Sequence, residues 1–170
     1  LLSGDCIVRA VFCPQHFGAT GFGTDFVTDA FHRGFSCQRV MCSVEAFPDA
    51  VHQHFLQTAS QLIAANGKPR KYLGFLTARV GAVRSISSSF DDPFNRSHRA
   101  RAYDTALEQN IGHCDVFLND SALASGQSVK LIKNEIRSRL LAVFSDGQFY
   151  KSPALLDSDE DLIHLRSMLA

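Results

Sequence analysis

Two residues in the segment NIGHCD, His113 and Asp115, have the side chains and the spacing of an acid–base pair. In a strand they lie on one face, while Cys114 points to the other. Histidine titrates near neutral pH, and a carboxylate can hold its ring in one orientation. We therefore predict a catalytic set of His16, Arg39, His113 and Asp115. The alternative interpretation, and the commoner one for such residues, is that they stabilise the turn and the strand in which they stand.

Three glycines within six positions give residues 17–26, FGATGFGTDF, some of the character of a phosphate-binding loop. A dinucleotide fingerprint, however, needs G-x-G-x-x-G between a strand and a helix. Phe26 occupies the place of the third glycine, and Asp25 would set a negative charge beside the phosphate. The Gly-Lys-Ser/Thr of a Walker loop does not occur there either. We expect no nucleotide cofactor, and instead a glycine-jointed loop that is pinned by aromatic side chains and forms one wall of a pocket.

The cysteines and histidines are too scattered to predict a metal site. Cys13 and His16 offer one pair of ligands, but no second pair has the spacing of a zinc knuckle. His52 and His54 lie two positions apart, which on a helix turns their side chains about 200° from each other. We predict no metal site, and we expect both of these histidines at the surface or at its boundary.

A basic segment at 95–101, NRSHRAR, has aromatic side chains close by in the sequence. Arginines attract a phosphate backbone, and aromatic rings stack on bases. The binding candidates are Arg96, Arg99 and Arg101 from this segment and Lys130, Lys133 and Arg137 from the polar face of a later helix. A nucleic-acid partner is compatible with these residues but is not favoured, because the formal net charge of the chain is zero. The alternative is a solvated surface whose charges pair with the acidic C-terminal segment.

The length and composition of the chain predict one globular domain, 1–170. With 170 residues, of which 45% are apolar, the chain is long enough for a well-buried core. No run of about 18 apolar residues occurs, so no membrane partner is expected. Five cysteines form an odd set in a chain too large to need disulfide staples, which predicts free thiols and a cytoplasmic location.

Hydrophobic periodicity predicts strands and helices in an order typical of an α+β fold, with a mixed α/β fold as the alternative. We expect a mostly antiparallel or mixed sheet and two to three amphipathic helices. A polar stretch at 87–101, broken by a proline, predicts a surface loop. Strands are predicted at 7–12, 35–44, 113–118 and, as one bent or two short strands, within 72–86; helices are predicted at 48–66, at 128–144 and from Asp157 or Ser158 to the end, with a short helical turn at 25–31.

The segments RAVFCPQHF, GFSCQRV and DTALEQNIGHCDVF together resemble a group of small bacterial proteins without an established activity. In that group a strand with an arginine ends in proline followed by histidine or phenylalanine, and a later strand carries Asn-Pro-Ala-His-Ala. Here Ile-Gly-His-Cys stands where Pro-Ala-His-Ala is expected. The resemblance implies a small intracellular bacterial domain and no particular mechanism. The matching positions are Arg9, Pro14, Phe17, Gly21, Ala30, Phe31, Phe35, Ser36, Arg39, Asn110 and His113.

Because no strong catalytic motif is present, the sequence favours a small intracellular bacterial binding or accessory module that acts through a protein partner. The alternative is a small enzyme that acts on a nucleotide or nucleic-acid phosphate with the His/Arg/Asp set named above. The two hypotheses differ in geometry, because a shared acid–base site requires its side chains within about 10 Å of one another.

Overall fold

The computed structural model of the chain describes residues 1–18, 21–23, 26–27, 34–40, 48–66, 70–88, 99–118 and 127–170. Most of the predicted helical turn at 25–31 and the binding candidate Arg96 lie outside these residues. The strands are β1 Cys6–Cys13, β2 Phe17–Gly18, β3 Gly21–Phe22, β4 Phe35–Val40, β5 Lys71–Arg79, β6 Ala100–Asp104, β7 His113–Leu118 and β8 Phe149–Lys151. The helices are α1 Pro48–Asn66, α2 Val80–Ser85, α3 Gln127–Ser145 and α4 Glu160–Leu169.

Six of the strands form one open sheet in the order β6-β7-β4-β1-β5-β8, and each neighbouring pair is antiparallel. The strands β2 and β3 form a separate two-stranded ribbon. The predicted α+β fold with a mostly antiparallel sheet is therefore confirmed. Helices cover the six-stranded sheet from both sides, and we name its two faces after the helices that pack on them.

The α3 face of the sheet carries the larger apolar core. Ile7 and Val11 of β1 pack there with Cys114 of β7 against Ile136 and the rest of the buried stripe of α3. Residues of α2 and α4 join the same cluster. On the opposite face, the α1 face, Val8, Ala10 and Phe12 alternate with these positions and pack against α1. Because β1 is covered on both sides, its sequence IVRAVF is apolar almost throughout.

Arg9 is the exception in that run, and its side chain is only 8% exposed. The ladder between β1 and β4 extends only from Cys6 to Val8 on the β1 side, although β4 itself continues to Phe35. Beyond the ladder, Arg9 Nε donates to the carbonyl oxygen of Phe26 and Nη1 donates to that of Ser36, each at 2.7 Å. The guanidinium thus supplies a donor to the buried carbonyl of Phe26 and one to the partly buried carbonyl of Ser36, where the ladder between β1 and β4 has ended.

Two sequence-based predictions about the middle of the chain are wrong. The second half of 72–86 is the helix α2 and not a strand, because Val80 and Val83 lie three residues apart and are both buried on the α3 face. The surface loop predicted at 87–101 ends earlier than expected, because Ala100 begins β6 and pairs with Leu118. Residues 89–98 of that loop lie outside the described part of the chain.

The remaining boundaries agree with the sequence to within a few residues. The strand predicted at 35–44 is described as far as Val40, and α1 and α3 match their predicted spans. The last helix begins after Asp159, whose side chain accepts a hydrogen bond from Leu162 N at 3.3 Å. The helix cap is therefore Asp159 and not Asp157 or Ser158.

The outer edge of β6 is covered by the segment around α2. Ala100 N donates to Ile86 O at 3.0 Å, and Ser87 forms a β-bridge with Arg99. Arg84 Nη2 donates to Ala102 O at 2.8 Å. The N–H of Ala100 and the carbonyl oxygen of Ala102, which point away from β7, therefore have partners.

Candidate functional site

A polar groove of about 440 Å³ lies between α1 and the connection from β6 to β7. α1 packs on β1 and β5 through Phe55 and Ala59, and none of the described helices packs on β6 or β7 on this face. The groove therefore lies on the side of α1 that faces the β6–β7 connection. Its lining residues are His54, Gln57 and Thr58 of α1 and Leu107, Glu108, Gln109 and Asn110 of the connection.

The connection between β6 and β7 is a tight hairpin. Leu107 N donates to Asn110 O at 3.0 Å, and Asn110 N donates to Leu107 O at 2.9 Å. His113 N then donates to the same Asn110 carbonyl at 3.1 Å, which fixes the start of β7. This backbone pattern holds the side chain of His113 directly after the groove-lining residues of the hairpin.

Thr105 joins His113 to Asp115 on the α1 face. Its hydroxyl donates to Asp115 Oδ2 at 2.8 Å, and it lies 3.0 Å from His113 Nδ1. Because the single hydroxyl proton goes to the carboxylate, Nδ1 carries the proton of the shared bond and donates to Thr105. His113 Nδ1 and Asp115 Oδ2 are 3.7 Å apart, too far for a direct hydrogen bond. The carboxylate therefore orients the imidazole through the threonine.

The tautomer of His113 follows from this arrangement. Among the described residues, the hydrogen bonds of the ring are made by Nδ1, to the hydroxyl and the carbonyl oxygen of Thr105. In the neutral ring Nε2 then holds a lone pair, and in the protonated ring it holds a second N–H. His113 can accept or donate a proton at Nε2 without losing its bond to Thr105.

His54 brings a second imidazole to the groove. It lies on α1 and is half-buried. Burial, and next the nearby positive charge of His113, lower the pKa of His54 below its ordinary value. The two rings thus interact electrostatically, and His54 is held in the neutral form near pH 7.

A strip of aromatic and basic side chains continues the site along β6 and β7. Ala100 and Ala102 are buried on the α3 face, so the alternating residues Arg99, Arg101 and Tyr103 lie on the α1 face. The ring of Tyr103 meets that of Phe117 edge to face, with centroids 5.8 Å apart. Tyr103 and Arg101 are exposed, so the strip presents a ring and a cation to solvent beside the groove.

Arg39 does not belong to this site. It pairs with Ile7 in the β1/β4 ladder and therefore lies on the α3 face, whereas His113 lies on the α1 face. Arg39 Nη1 instead forms a 2.6 Å ion pair with Asp104, which shares its face. The sheet separates Arg39 from the His113 network.

His16 is also remote from His113. The residue is 3% exposed, and its Nδ1 accepts a hydrogen bond from Phe12 N at 3.2 Å. Arg39 pairs with Ile7 in the β1/β4 ladder. Phe12, which holds His16, lies five residues further along β1, or about 16 Å of strand. His113 and Asp115 are therefore the members of the predicted catalytic set that lie together, and the four do not share one cleft.

The predicted basic residues do not form one surface either. Arg99 and Arg101 lie on the α1 face, whereas Lys130, Lys133 and Arg137 belong to α3, which packs on the other face. The positive charges of the middle segment are thus divided between two sides of the sheet. A nucleic-acid interface that uses both groups at once does not fit this arrangement.

A separate polar cluster surrounds Cys13, where the end of β1 meets the start of α4. Lys71 Nζ contacts Asp159 at 2.6 Å and Asp161 at 2.7 Å, and the Cys13 thiol donates to Asp161 Oδ1 at 3.3 Å. Burial, followed by the hydrogen bond to Asp161, raises the pKa of Cys13 to about 11. A thiol with that pKa is a weak nucleophile at pH 7, so the cluster mainly attaches α4 to β1 and β5.

His52 is the histidine for which the sequence-based expectation is wrong. It is 4% exposed, and its Nδ1 lies 2.9 Å from the hydroxyl of Tyr72.

The sequence did not predict three residues of the site: the turn residues Glu108 and Gln109, which line the groove, and the bridging Thr105. Thr105 and His113 are eight residues apart, and only the hairpin register brings them together. No spacing rule in the sequence indicates that contact.

No described residues form a cluster of three His, Cys, Asp or Glu side chains of the kind that holds a metal ion. Within the same parts of the chain, none of the helices has both the length and the apolar character needed to cross a membrane. Comparisons with protein-family models, with curated proteins and with solved structures find no match.

Proposed function

We propose that this protein is a binding module that engages a protein partner through the β6–β7 hairpin. One observation carries the proposal: Tyr103, Leu107 and Ile111 are 47%, 53% and 72% exposed within nine residues of a single hairpin. Large apolar side chains grouped on one surface element are typical of recognition sites.

The surroundings of these side chains support the same function. Gln57, Gln109 and Asn110 offer amide donors and acceptors in the adjoining groove. Apolar side chains beside polar groups that form hydrogen bonds are the usual composition of a transient interface. Arg101 lies on the same side of β6 as Tyr103 and is exposed. Tyrosine and arginine are the residue types most enriched among energetically dominant interface residues.

Among the residues that the structure describes, the other large exposed apolar side chains lack such a grouping. Leu2, Leu131, Leu156 and Ile163 lie on four separate parts of the chain, from the N-terminal segment to α4. Single exposed residues of this kind are ordinary on protein surfaces. They therefore serve as matched controls for the hairpin residues.

A reducing compartment such as the bacterial cytoplasm is part of the proposal. Cys6, Cys13, Cys37 and Cys114 are free thiols. Thiols persist in that state where glutathione and thioredoxin keep them reduced.

The test is a quantitative co-purification from a bacterial lysate with the wild-type chain, Leu107→Ser, Ile111→Ser and the control Ile163→Ser. We expect a protein that is retained by the wild type and by Ile163→Ser, and that is reduced at least about fivefold with each hairpin variant. Equal recovery with all four chains would show that the hairpin does not bind the partner.

A further inference from the structure

We propose that Cys37 and Cys114 are a redox-sensitive modification site, which peroxide converts into a reversible disulfide bond between β4 and β7. This inference goes beyond the proposed binding of a protein partner and does not depend on it. Both residues are free thiols in the structure. Among the described residues, these are the two cysteines that stand directly opposite each other in a ladder, since Cys6 and Cys13 pair with other residue types.

The two thiols belong to one ladder and one face of the sheet. Cys37 is the register partner of Cys114, and both side chains lie in the apolar core on the α3 face. Two positions further along the ladder, Arg39 N donates to the carbonyl oxygen of Gly112 at 2.7 Å. Since hydrogen-bonded and non-hydrogen-bonded pairs alternate in an antiparallel ladder, Cys37 and Cys114 occupy a hydrogen-bonded position.

This position is within reach of a disulfide bond. The Cα atoms of a hydrogen-bonded pair are about 5.5 Å apart, and those of a disulfide are most often about 5.5–6 Å apart. The Cβ atoms of facing residues are about 4.5–5.5 Å apart, whereas a disulfide brings them to about 3.8 Å. The two strands must therefore approach by about 1 Å, and a bond formed under that constraint is more easily reduced than a relaxed one.

The route from solvent to the pair passes the ion pair of Arg39 and Asp104. Asp104 is the register partner of Cys114 on the other side of β7, and Arg39 stands two positions from Cys37. Because β7 lies between β4 and β6, the 2.6 Å contact between Arg39 and Asp104 crosses β7 next to Cys114. The two side chains are 22% and 38% exposed. Rotation of these side chains into solvent uncovers Cys114 first.

The surroundings keep both residues as thiols until an oxidant is present. Burial, and next the charge of Asp115, raise the pKa of Cys114 to about 12. Burial, and next the charge that Cys114 carries as a thiolate, raise the pKa of Cys37 well above its ordinary value. The second of these effects also requires the two sulfur atoms to lie close together. Thiols of this kind react slowly, so the pair responds to an excess of peroxide and not to traces of it.

The reaction balances with hydrogen peroxide as the oxidant. Cys114 Sγ attacks one peroxide oxygen, the O–O bond breaks, and the departing oxygen leaves as water with the thiol proton. Cys37 Sγ then attacks the sulfur of the resulting sulfenic acid. The S–S bond forms, the S–O bond breaks, and the second water carries away the proton of Cys37. The two sulfur atoms lose two electrons in total, and the peroxide gains them.

The bond attaches the β6–β7 hairpin to the centre of the sheet. The ladder between β4 and β7 runs from the pair of Phe35 and Val116 to the pair of Gln38 and His113, and the two cysteines lie within it. A covalent link at that point prevents β7 from separating from β4. Oxidation should therefore slow amide hydrogen exchange in β7.

The experiment treats the reduced full chain with excess hydrogen peroxide. The remaining free thiols are then alkylated in denaturant, and the digested protein is analysed by mass spectrometry. We expect one linked pair of peptides that contains Cys37 and Cys114, with a mass lower by two hydrogen atoms, and its disappearance on treatment with dithiothreitol. Complete alkylation of both cysteines would overturn the proposal, and so would a bond from either of them to Cys6, Cys13 or Cys42.

Variants test the pair and its route to solvent. Cys37→Ala and Cys114→Ala should each abolish the linked peptide, and Cys6→Ala should retain it. Asp104→Asn should speed formation of the bond about three- to tenfold, because it loosens the cover and removes a charge that raises the pKa of Cys114. Asp146→Asn, at an exposed position after α3, should react at the wild-type rate. Equal rates in Asp104→Asn and the wild type would contradict the proposed route, and a linked peptide in Cys37→Ala would refute the pairing.

Discussion

The guanidinium carbon of Arg9 lies 4.5 Å from the centroid of the Phe35 ring. The same carbon is 5.1 Å from the centroid of the Phe26 ring. A charged group in the core thus contacts two aromatic rings, and its N–H groups donate to the carbonyls of Phe26 and Ser36. Cation–π attraction and charge-assisted hydrogen bonds together compensate for its removal from water.

Replacing Arg9 with methionine should destabilise the protein by about 3 kcal/mol, because the buried carbonyl oxygen of Phe26 and the partly buried one of Ser36 lose their charged donors while the apolar volume is retained. Arg9→Lys, which keeps the charge but not the paired donors, should fall between this variant and the wild type. Urea unfolding curves give the comparison. Arg79→Met is the control, since Arg79 is exposed and donates to Gly4 O. Equal losses for Arg9 and Arg79 would contradict the assigned role.

The stability of the protein should fall as the pH drops below about 6.5, partly because of His16. Burial, and next the charge of Arg9, hold the pKa of His16 well below its ordinary value. Below pH 6.5 the unfolded chain binds a proton that the folded protein does not bind, so folding becomes less favourable. The contribution is fully present above the unfolded pKa and is lost as pH decreases toward the folded pKa.

The free energy of unfolding, measured by urea titration between pH 7.5 and about 5, checks this. His16→Gln should be less stable at pH 7.5 but should lose up to about 1.4 kcal/mol less per pH unit than the wild type. His164→Gln, at an exposed position of α4, is measured alongside as the control. A His16→Gln curve parallel to that of the wild type would mean that His16 titrates equally in both states.

Gly74→Ala should cost about 3 kcal/mol, because the position combines strain with a steric clash. Gly74 has a φ of +148°, and an added Cβ would meet the carbonyl oxygen of Tyr150 and lie 2.9 Å from the Phe149 ring. Both contacts belong to β8, so faster amide exchange in β8 should accompany the loss. Gly4→Ala, where an added Cβ meets nothing within 4 Å, should change stability by less than about 0.5 kcal/mol.

Asp161→Asn should increase the alkylation rate of Cys13 by iodoacetamide at pH 8 about three- to tenfold. The carboxylate raises the pKa of Cys13 both as a hydrogen-bond acceptor and as a charge, so its removal increases the thiolate fraction. Lys71→Met should slow alkylation, because the ammonium group lowers the same pKa. Mass spectrometry of the Cys13 peptide gives both rates. Faster labelling in both variants would indicate that α4 has detached and that access, not charge, controls the reaction.

Hydrophobic periodicity in the sequence was sufficient to predict the long helices and strands, but not the short ones. The apolar residues of α3 recur at helical spacing, and Ile132, Ile136 and Leu140 are buried as that pattern requires. β8 has only three residues, too few for a period to be recognised. In β6 the inward residues are alanines, so the alternation of ARAYD has little hydrophobic contrast, and its arginine and aspartate are typical of a surface loop.

For the candidate site, sequence was informative within a strand and uninformative between strands. The two-residue spacing of His113 and Asp115 correctly placed them on one face. Arg39 was assigned to the same cleft, but its face depends on the register of β4 against its neighbours, which no local pattern specifies. His54 joins the site from a helix almost sixty positions earlier, and only tertiary packing determines that approach.

α2 and the residues that follow it cover the outer edge of β6. This cover also limits how copies of the protein can associate at high concentration. A bare outer strand is a template for polymerisation, because a second chain can continue its hydrogen-bonded ladder. Here Ile86 O already accepts from the outward N–H of Ala100, and Arg84 already donates to the outward carbonyl oxygen of Ala102. Another molecule would have to displace both before it extended the sheet from this side. A molecule that bound the groove or the aromatic strip would therefore have to approach it face-on, and the exposed apolar side chains of the hairpin lie beside an edge that does not readily extend into a fibre.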